Sequence, residues 1–396
     1  VSGRLQSIDV LRGIAILGVL AIHCQHDAPG GFRQNIWFLP SFLADYGYMG
    51  VHLFVLLSGF CIHRKVAIEK ANTGEYKLNW LQFWKRRFWR LYPPYLAAIA
   101  FSLFVAAARE TYSFDNTAAF WDLFLHLTML HNLTNFATEL SNGVFWSLGM
   151  EEQLYLAYFA LIVMFQRLPL RQTFAIVVSV TLLWRFFVSS SPAVPIGKVE
   201  IGYWHFWPTM FWLHWMLGAI AVDASLGNRT LPRWTHSLPL ATVTMLFALF
   251  FNSNMFQLLD NTGHSSLFAN LLPIASRPAL QHVGELLAAI SFFCLMNWML
   301  DREATKWMTN PVANQLAKLG RISYSVYLVH IPILGFVSGC CEFESTGLQW
   351  IERTVLLWGV SILGGLVFHH AVEKWFINGV MPRYRRQARF VAATEA

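Results

Sequence analysis

Charge is what this sequence has least of. Only 13% of its 396 residues are Asp, Glu, Lys or Arg, against about 25% in soluble globular domains. Hydrophobic residues make up 56%, with 17 Trp and 33 Phe among them, and mean hydropathy is +0.44. A soluble core of this size could not hide so much apolar surface without a larger charged shell. A lipid bilayer accepts it, because lipid becomes the solvent for the outward faces. An ordinary soluble domain is therefore excluded.

Other absences narrow the chemistry. The five cysteines are Cys24, Cys61, Cys294, Cys340 and Cys341. Four lie in or at the ends of apolar stretches, and their spacing makes no disulfide framework. The Cys340–Cys341 pair does not resemble a zinc ligand set. His23-Cys24-x-His26 and His369-His370 have no accompanying carboxylate or cysteine pattern for a metal, so no metal is expected. There is no phosphate-binding glycine loop, no His-Glu-x-x-His and no Gly-x-Ser-x-Gly. Low-complexity segments, internal repeats and polar linkers are also missing. One domain over 1–396 is expected, with a core of about 4–376 and a basic cytoplasmic tail at 377–396. No cleavable signal precedes the first apolar stretch, which is read as retained.

A membrane-crossing helix needs about 20 mostly apolar residues. Ten such stretches are present, at 8–26, 46–63, 90–108, 144–166, 172–190, 207–224, 238–256, 279–300, 322–340 and 350–373. The expected fold is all-α, a polytopic bundle of about ten transmembrane helices. A further piece at 119–131 is short and holds Asp122 and His126; it reads as re-entrant or interfacial. With both termini cytoplasmic, 23 of the 29 lysines and arginines fall on the inner side, as the positive-inside rule requires. The exceptions are Arg33, Arg109, Arg185, Lys198, Arg277 and Arg353. The net charge of +7 thus reflects topology and attraction to the inner leaflet, and nucleic acid is not a partner.

Ionisable groups inside spans are costly and mark function by default. In the first span Arg12 and His23 are eleven residues apart, close to three full turns. They share a face, about 16 Å apart along the axis. Asp9 lies one turn before Arg12 and is placed to pair with it. Arg12 alone reads equally well as a snorkelling side chain, and His23 as an interfacial one. In the fourth span Ser147, Glu151 and Tyr155 are spaced by four and form one stripe. Glu151 is expected to face the bundle, at a depth that allows a pairing with His23 and favours base chemistry there. Glu285 lies near an outer helix end as a further cavity candidate. In the ninth span Ser323, Tyr327 and His330 form another stripe, followed by Pro332, which is expected to kink the helix. The inner loop ends in a run with Arg86, Arg87 and Arg90. Clustered guanidiniums with aromatic neighbours suit phosphate oxygens, although the positive-inside rule explains them as well.

Five motifs, in order and at the right spacing, resemble the acyltransferase-3 family of integral membrane acyltransferases. They are Arg12 and His23 with ten residues between, and the run from Gly50-Val51-His52 to Ser58-Gly59-Phe60. Next come Arg86-Arg87-x-x-Arg90-Leu91-x-Pro93-x-Tyr95, Trp146-Ser147-Leu148-x-x-Glu151, and Ser323-Tyr324-Ser325-Val326-Tyr327-Leu328-Val329-His330. The resemblance implies a ten-helix fold and transfer of an acyl group, usually acetyl, from coenzyme A to a hydroxyl. The acceptor would be a carbohydrate or glycolipid, and the location a multi-pass position in a bacterial inner (plasma) membrane. It implies that His23 and Arg12 are essential and that Glu151 and the Arg87/Arg90 pair contribute. Position 52 departs from the pattern, with His where many members carry Asp or another polar residue. The short stretch after the last span leaves no room for the fused extracytoplasmic domain of some members.

The expected roles follow. His23 is the general base, oriented by Glu151. Arg12, Arg86, Arg87 and Arg90 bind acyl-CoA, the donor substrate. His52, Ser147, Tyr327 and His330 line the substrate cavity. The alternative is a proton-coupled secondary transporter of a sugar-like solute, with His23, Glu151 and His330 as the relay; the paired broken helices and repeats of such transporters are not evident.

Overall fold

A computed structural model describes residues 4–24, 42–111, 117–134, 142–190, 195–196, 199–200, 203–253, 255–256, 277–340 and 348–377. His26, Cys341 and most of the basic tail lie outside them. Apart from a two-residue antiparallel ladder, Pro195–Ile196 with Val199–Glu200, the regular structure described is helical. The helices are α1 (Gln6–Cys24), α2 (Met49–Thr73), α3 (Trp80–Ala108), α4 (Thr117–Leu127), α5 (Trp146–Arg167) and α6 (Leu170–Ser190). They continue with α7 (Pro208–Ser225), α8 (Leu238–Phe250), α9 (Arg277–Leu300), α10 (Pro311–Cys340) and α11 (Leu348–Ala371). Eight are long and apolar enough to cross a membrane: all but α4, α7 and α8. Every one of the ten apolar stretches coincides with a helix, and the chain is a polytopic helical membrane protein.

One boundary differs from the sequence reading. Residues 80–90, taken as a loop end because of their charge, are the first turns of α3. Asn79 caps that helix, its side chain accepting from the Gln82 amide at 3.0 Å. Gln, Lys and Arg are good helix formers, so a charged face continues the helix beyond its apolar part. Pro93 and Pro94 lie inside it.

The helices form two compact units. The first contains α1, α2, α5 to α9 and the start of α10. Its helices touch backbone to backbone. A Cβ at Gly59 of α2 would strike the Trp215 carbonyl of α7, and one at Gly218 would strike the Leu56 carbonyl in return. α1 meets the start of α2 in the same way, Gly18 against Gly47 and Ala15 against Gly50. In lipid there is little hydrophobic drive between helices, and close van der Waals approach through small residues takes its place. At one end of α2 and α7 a polar knot closes the unit. Asp223 accepts from His63 Nε2 at 3.1 Å, from the Tyr76 hydroxyl at 2.6 Å and from Arg229 Nε at 2.9 Å. The Tyr158 hydroxyl of α5 bonds His63 Nδ1 at 2.9 Å. Burial, with the bond to Asp223, holds the Tyr76 phenol well above its ordinary pKa.

The second unit contains α3, α4, residues 142–145, α10 from Ile322, and α11. α4 has 11 residues, about 16 Å of helix against the ~30 Å of a hydrocarbon core. Its final carbonyls would be exposed to lipid, which costs several kcal/mol per group. Tyrosines at mid-height of α3 supply the missing donors: Tyr95 to His126 O at 3.0 Å and Tyr92 to Leu127 O at 2.7 Å. The chain then turns at Met129, with φ 55°. The α4 helix is short, as the apolar length of 119–131 predicts. Pro332 lies inside α10, which continues through it. The carbonyl that a proline leaves without its helical donor is that of residue i−4, here Leu328. Asn142 Nδ2 donates to it at 3.2 Å and also to Ser102 Oγ at 3.1 Å.

Candidate active site

The first unit holds the pair singled out on α1. Arg12 is half-buried, and its Nη2 donates to Cys61 Sγ of α2 at 3.7 Å. Asp9 does not pair with it. Asp9 instead takes both prongs of Arg4, Nε to Oδ2 at 2.5 Å and Nη2 to Oδ1 at 3.0 Å. Arg4 precedes the helix and brings its fork to both carboxylate oxygens, a bidentate geometry stronger than a single contact.

His23 is half-buried in the last turn of α1. Its Nδ1 lies 2.8 Å from the Val19 carbonyl. A carbonyl only accepts, so Nδ1 carries the proton, and the lone pair of the neutral ring is on Nε2. Helix geometry alone produces this, because the carbonyl of residue i−4 sits under the side chain. The expected Glu151–His23 bond does not form. Glu151 Oε1 accepts from Ser58 Oγ of α2 and from Tyr155 Oη, both at 2.6 Å. Two hydroxyls, one of them four residues along its own helix, satisfy that oxygen. The stripe read from the sequence is thus real for Glu151 and Tyr155, and its partner across the bundle is Ser58. Ser147 is buried one turn earlier.

His52 is buried, and its Nδ1 stands 3.0 Å from Nε2 of His214 on α7. One ring must donate and the other accept, so the two are not both doubly protonated. Beyond them Arg185 of α6 is buried against α9. Its Nη1 donates to Glu285 Oε2 at 2.5 Å and approaches His282 Nδ1 at 3.3 Å, while Nη2 donates to the Met210 carbonyl at 2.8 Å. The sequence reading noted Arg185 and Glu285 one at a time and missed His63, His214, Asp223 and His282. The rarity of ionisable groups in apolar helices was the signal available for all four.

The second unit holds the other expected residues. Arg86, Arg87 and Arg90 are the seventh, eighth and eleventh residues of α3. Arg90 Nη1 donates to the Ile377 carbonyl at 2.7 Å. The Arg87 guanidinium lies 5.9 Å from the centre of the Phe83 ring, and its buried Nε has no hydrogen-bond partner among the described residues. The Tyr327 hydroxyl donates to the Val144 carbonyl at 2.8 Å, and His330 Nδ1 bonds the Tyr327 carbonyl at 2.9 Å. Both side chains are buried, and both serve backbone carbonyls. Among the described residues, no three His, Cys, Asp or Glu side chains are grouped to hold a metal ion.

A family model described as an acyltransferase domain, the acyltransferase-3 model, matches residues 5–370. The "Regulator of hypoxia-inducible factor 1" of Caenorhabditis elegans is 24% identical over 94% of this chain and 79% of its own length. "Peptidoglycan O-acetyltransferase OatA" of Listeria monocytogenes is 28% identical over 40% of this chain and 24% of its own length. "Putative peptidoglycan O-acetyltransferase YrhL" of Bacillus subtilis is 22% identical over 95% of this chain and 58% of its own length. This chain thus spans a quarter of OatA and little more than half of YrhL. No solved structure gives a significant match. With apolar helices from end to end and the family model running through nearly all of them, the chain belongs to the acyltransferase-3 family of integral membrane acyltransferases.

Proposed function

We propose that this membrane O-acyltransferase moves an acyl group, acetyl foremost, from acyl-CoA on the cytoplasmic side to a hydroxyl of a carbohydrate or glycolipid. The observation that carries the reading is the 2.8 Å contact of His23 Nδ1 with the Val19 carbonyl, which as an acceptor assigns the proton to Nδ1. His23 Nε2 takes the acceptor's hydroxyl proton as the oxygen attacks the thioester carbonyl. The carbon–sulfur bond breaks, and the same proton passes to the departing thiolate. The products are an ester and the free thiol of coenzyme A, with no net proton released. The names of OatA and YrhL favour acetyl as the group and a cell-wall polymer as the acceptor, in a bacterial inner membrane.

The basic-residue count favours a cytoplasmic N-terminus, an orientation in which Arg12 faces the side on which coenzyme A thioesters are made. Arg12 in the first unit, and separately Arg86, Arg87 and Arg90 in the second, are assigned to acyl-CoA phosphates, since guanidinium forks match phosphate oxygens. The orphaned Arg87 Nε supports that assignment. Glu151 acts as a positioning residue: through Ser58 it fixes α2 against α5 and does not touch His23. His52 and Ser147 are assigned to the acceptor side, and Tyr327 and His330 to the support of backbone carbonyls within the second unit.

The full chain, purified in detergent, tests the reading when incubated with labelled acetyl-CoA and a membrane extract. Label is expected in a carbohydrate ester. Arg12→Ala is expected to raise the donor KM tenfold or more and leave the acceptor KM unchanged. Folded protein that passes no label from acetyl-CoA contradicts the proposal.

A further inference from the structure

The buried group around Arg185 is more than a bolt between helices. It joins α6, α7 and α9, and His52 and His214 stand beside it between α2 and α7. Arg185 is 2% exposed, His282 5% and Glu285 7%. An ion pair held this deep is weak evidence for stability, because desolvation offsets its attraction. Two of its donors are also left over. Arg185 Nε and His282 Nε2 are buried and have no hydrogen-bond partner among the described residues. The tautomer of His282 follows from its neighbour: Arg185 Nη1 is a donor aimed at Nδ1, so Nδ1 accepts and the ring proton sits on Nε2. Both leftover atoms are therefore N–H donors. Each such donor costs about 1–3 kcal/mol while unpaired.

The geometry points to a binding site here for a neutral, hydroxyl-bearing ligand, a saccharide, received by Arg185 and His282. Charge balance decides against an anion. Glu285 already neutralises Arg185 at 2.5 Å, so the site offers directed N–H groups with no net charge. One aromatic ring lies beside His282, and a tryptophan precedes Arg185 in the sequence. The half-buried His205 ring is 5.4 Å from that of His282, and Trp184 and Trp207 are stacked at 4.8 Å. Flat rings beside fixed donors suit a sugar, with its apolar ring face and its equatorial oxygens. Arg185 lies late in α6, while His282 and Glu285 lie early in α9. This end faces away from the cytoplasm if the N-terminus is inside. The assignment rests on the acyltransferase reading for its purpose: it names where the acceptor is held.

The test separates the two ring nitrogens of His282. In Asn the amide oxygen stands near the place of Nδ1 and keeps the contact with Arg185. In Gln the amide NH2 stands near the place of Nε2 and keeps the leftover donor. The full chain in detergent is titrated with N,N′-diacetylchitobiose, a neutral disaccharide, and read by tryptophan fluorescence; no donor or activity is needed. His282→Asn is expected to bind at least tenfold more weakly than wild type, with its melting temperature within a few degrees. His282→Gln is expected to stay within threefold of wild type. A uronate disaccharide of the same size is expected to bind at least tenfold more weakly than chitobiose. Equal binding by all three proteins, no binding by wild type, or tighter binding of the uronate overturns the site. Acyl transfer with an acceptor KM unmoved in His282→Asn also overturns it and leaves the enzyme reading intact. The Asn/Gln contrast in binding without any acyl transfer would keep the site and remove that reading.

Discussion

At the scale of single residues, polar atoms in this protein work through neighbours the sequence does not announce. The spacing of Ser147, Glu151 and Tyr155 identified Glu151 as bundle-facing. It could not show that Ser58, 93 positions away, would share its oxygen with Tyr155. That Arg12 and His23 share one helix was legible because three helical turns form a local pattern. The partner of His23 was not, because the carbonyl beneath a helical histidine competes with any carboxylate elsewhere. Replacing Ser58 with Ala or Tyr155 with Phe leaves Glu151 Oε1 one donor. Each change is expected to lower stability by about 1–2 kcal/mol. The double variant is expected to lose more than the sum, since the half-buried carboxylate oxygen then has no donor among the described residues. Thermal denaturation of the four proteins measures this; strictly additive losses would show that Glu151 is satisfied by other means.

At the scale of elements, hydrophobic length found every long helix described, and the short apolar length of 119–131 identified the short helix α4. What it could not give was which helices touch. Gly59 and Gly218 are far apart in sequence, and nothing local says that each clears the other's backbone. The start of α3 was missed for a different reason, since charge was read as loop where an Asn cap and good helix formers continue the helix. The crossing of α2 and α7 makes a sharp prediction. Gly218→Val drives a branched side chain into the Leu56 carbonyl, and the protein is expected to insert but elute as aggregate in detergent. Gly143→Ala, where an added Cβ meets nothing within 4 Å, is expected to behave as wild type. Size-exclusion profiles of the two decide it, and a monodisperse Gly218→Val would mean that the helices are not in backbone contact.

At the scale of the whole molecule, the proposed labour is divided along the membrane normal: donor phosphates at the end where α1 begins, base near the far end of α1, acceptor where α9 begins. Composition and the distribution of basic residues supplied the first outline of that axis, and the family match supplied the class of reaction, acyl transfer. The central claim is that His23 Nε2 removes the acceptor proton. The most direct measurement compares wild type and His23→Ala, both reconstituted, in acyl transfer from saturating acetyl-CoA, with donor binding followed in parallel. General-base contributions run to about 10²–10⁴-fold. The account predicts a loss of transfer in that range with donor affinity unchanged. Transfer by His23→Ala at the wild-type rate would contradict it.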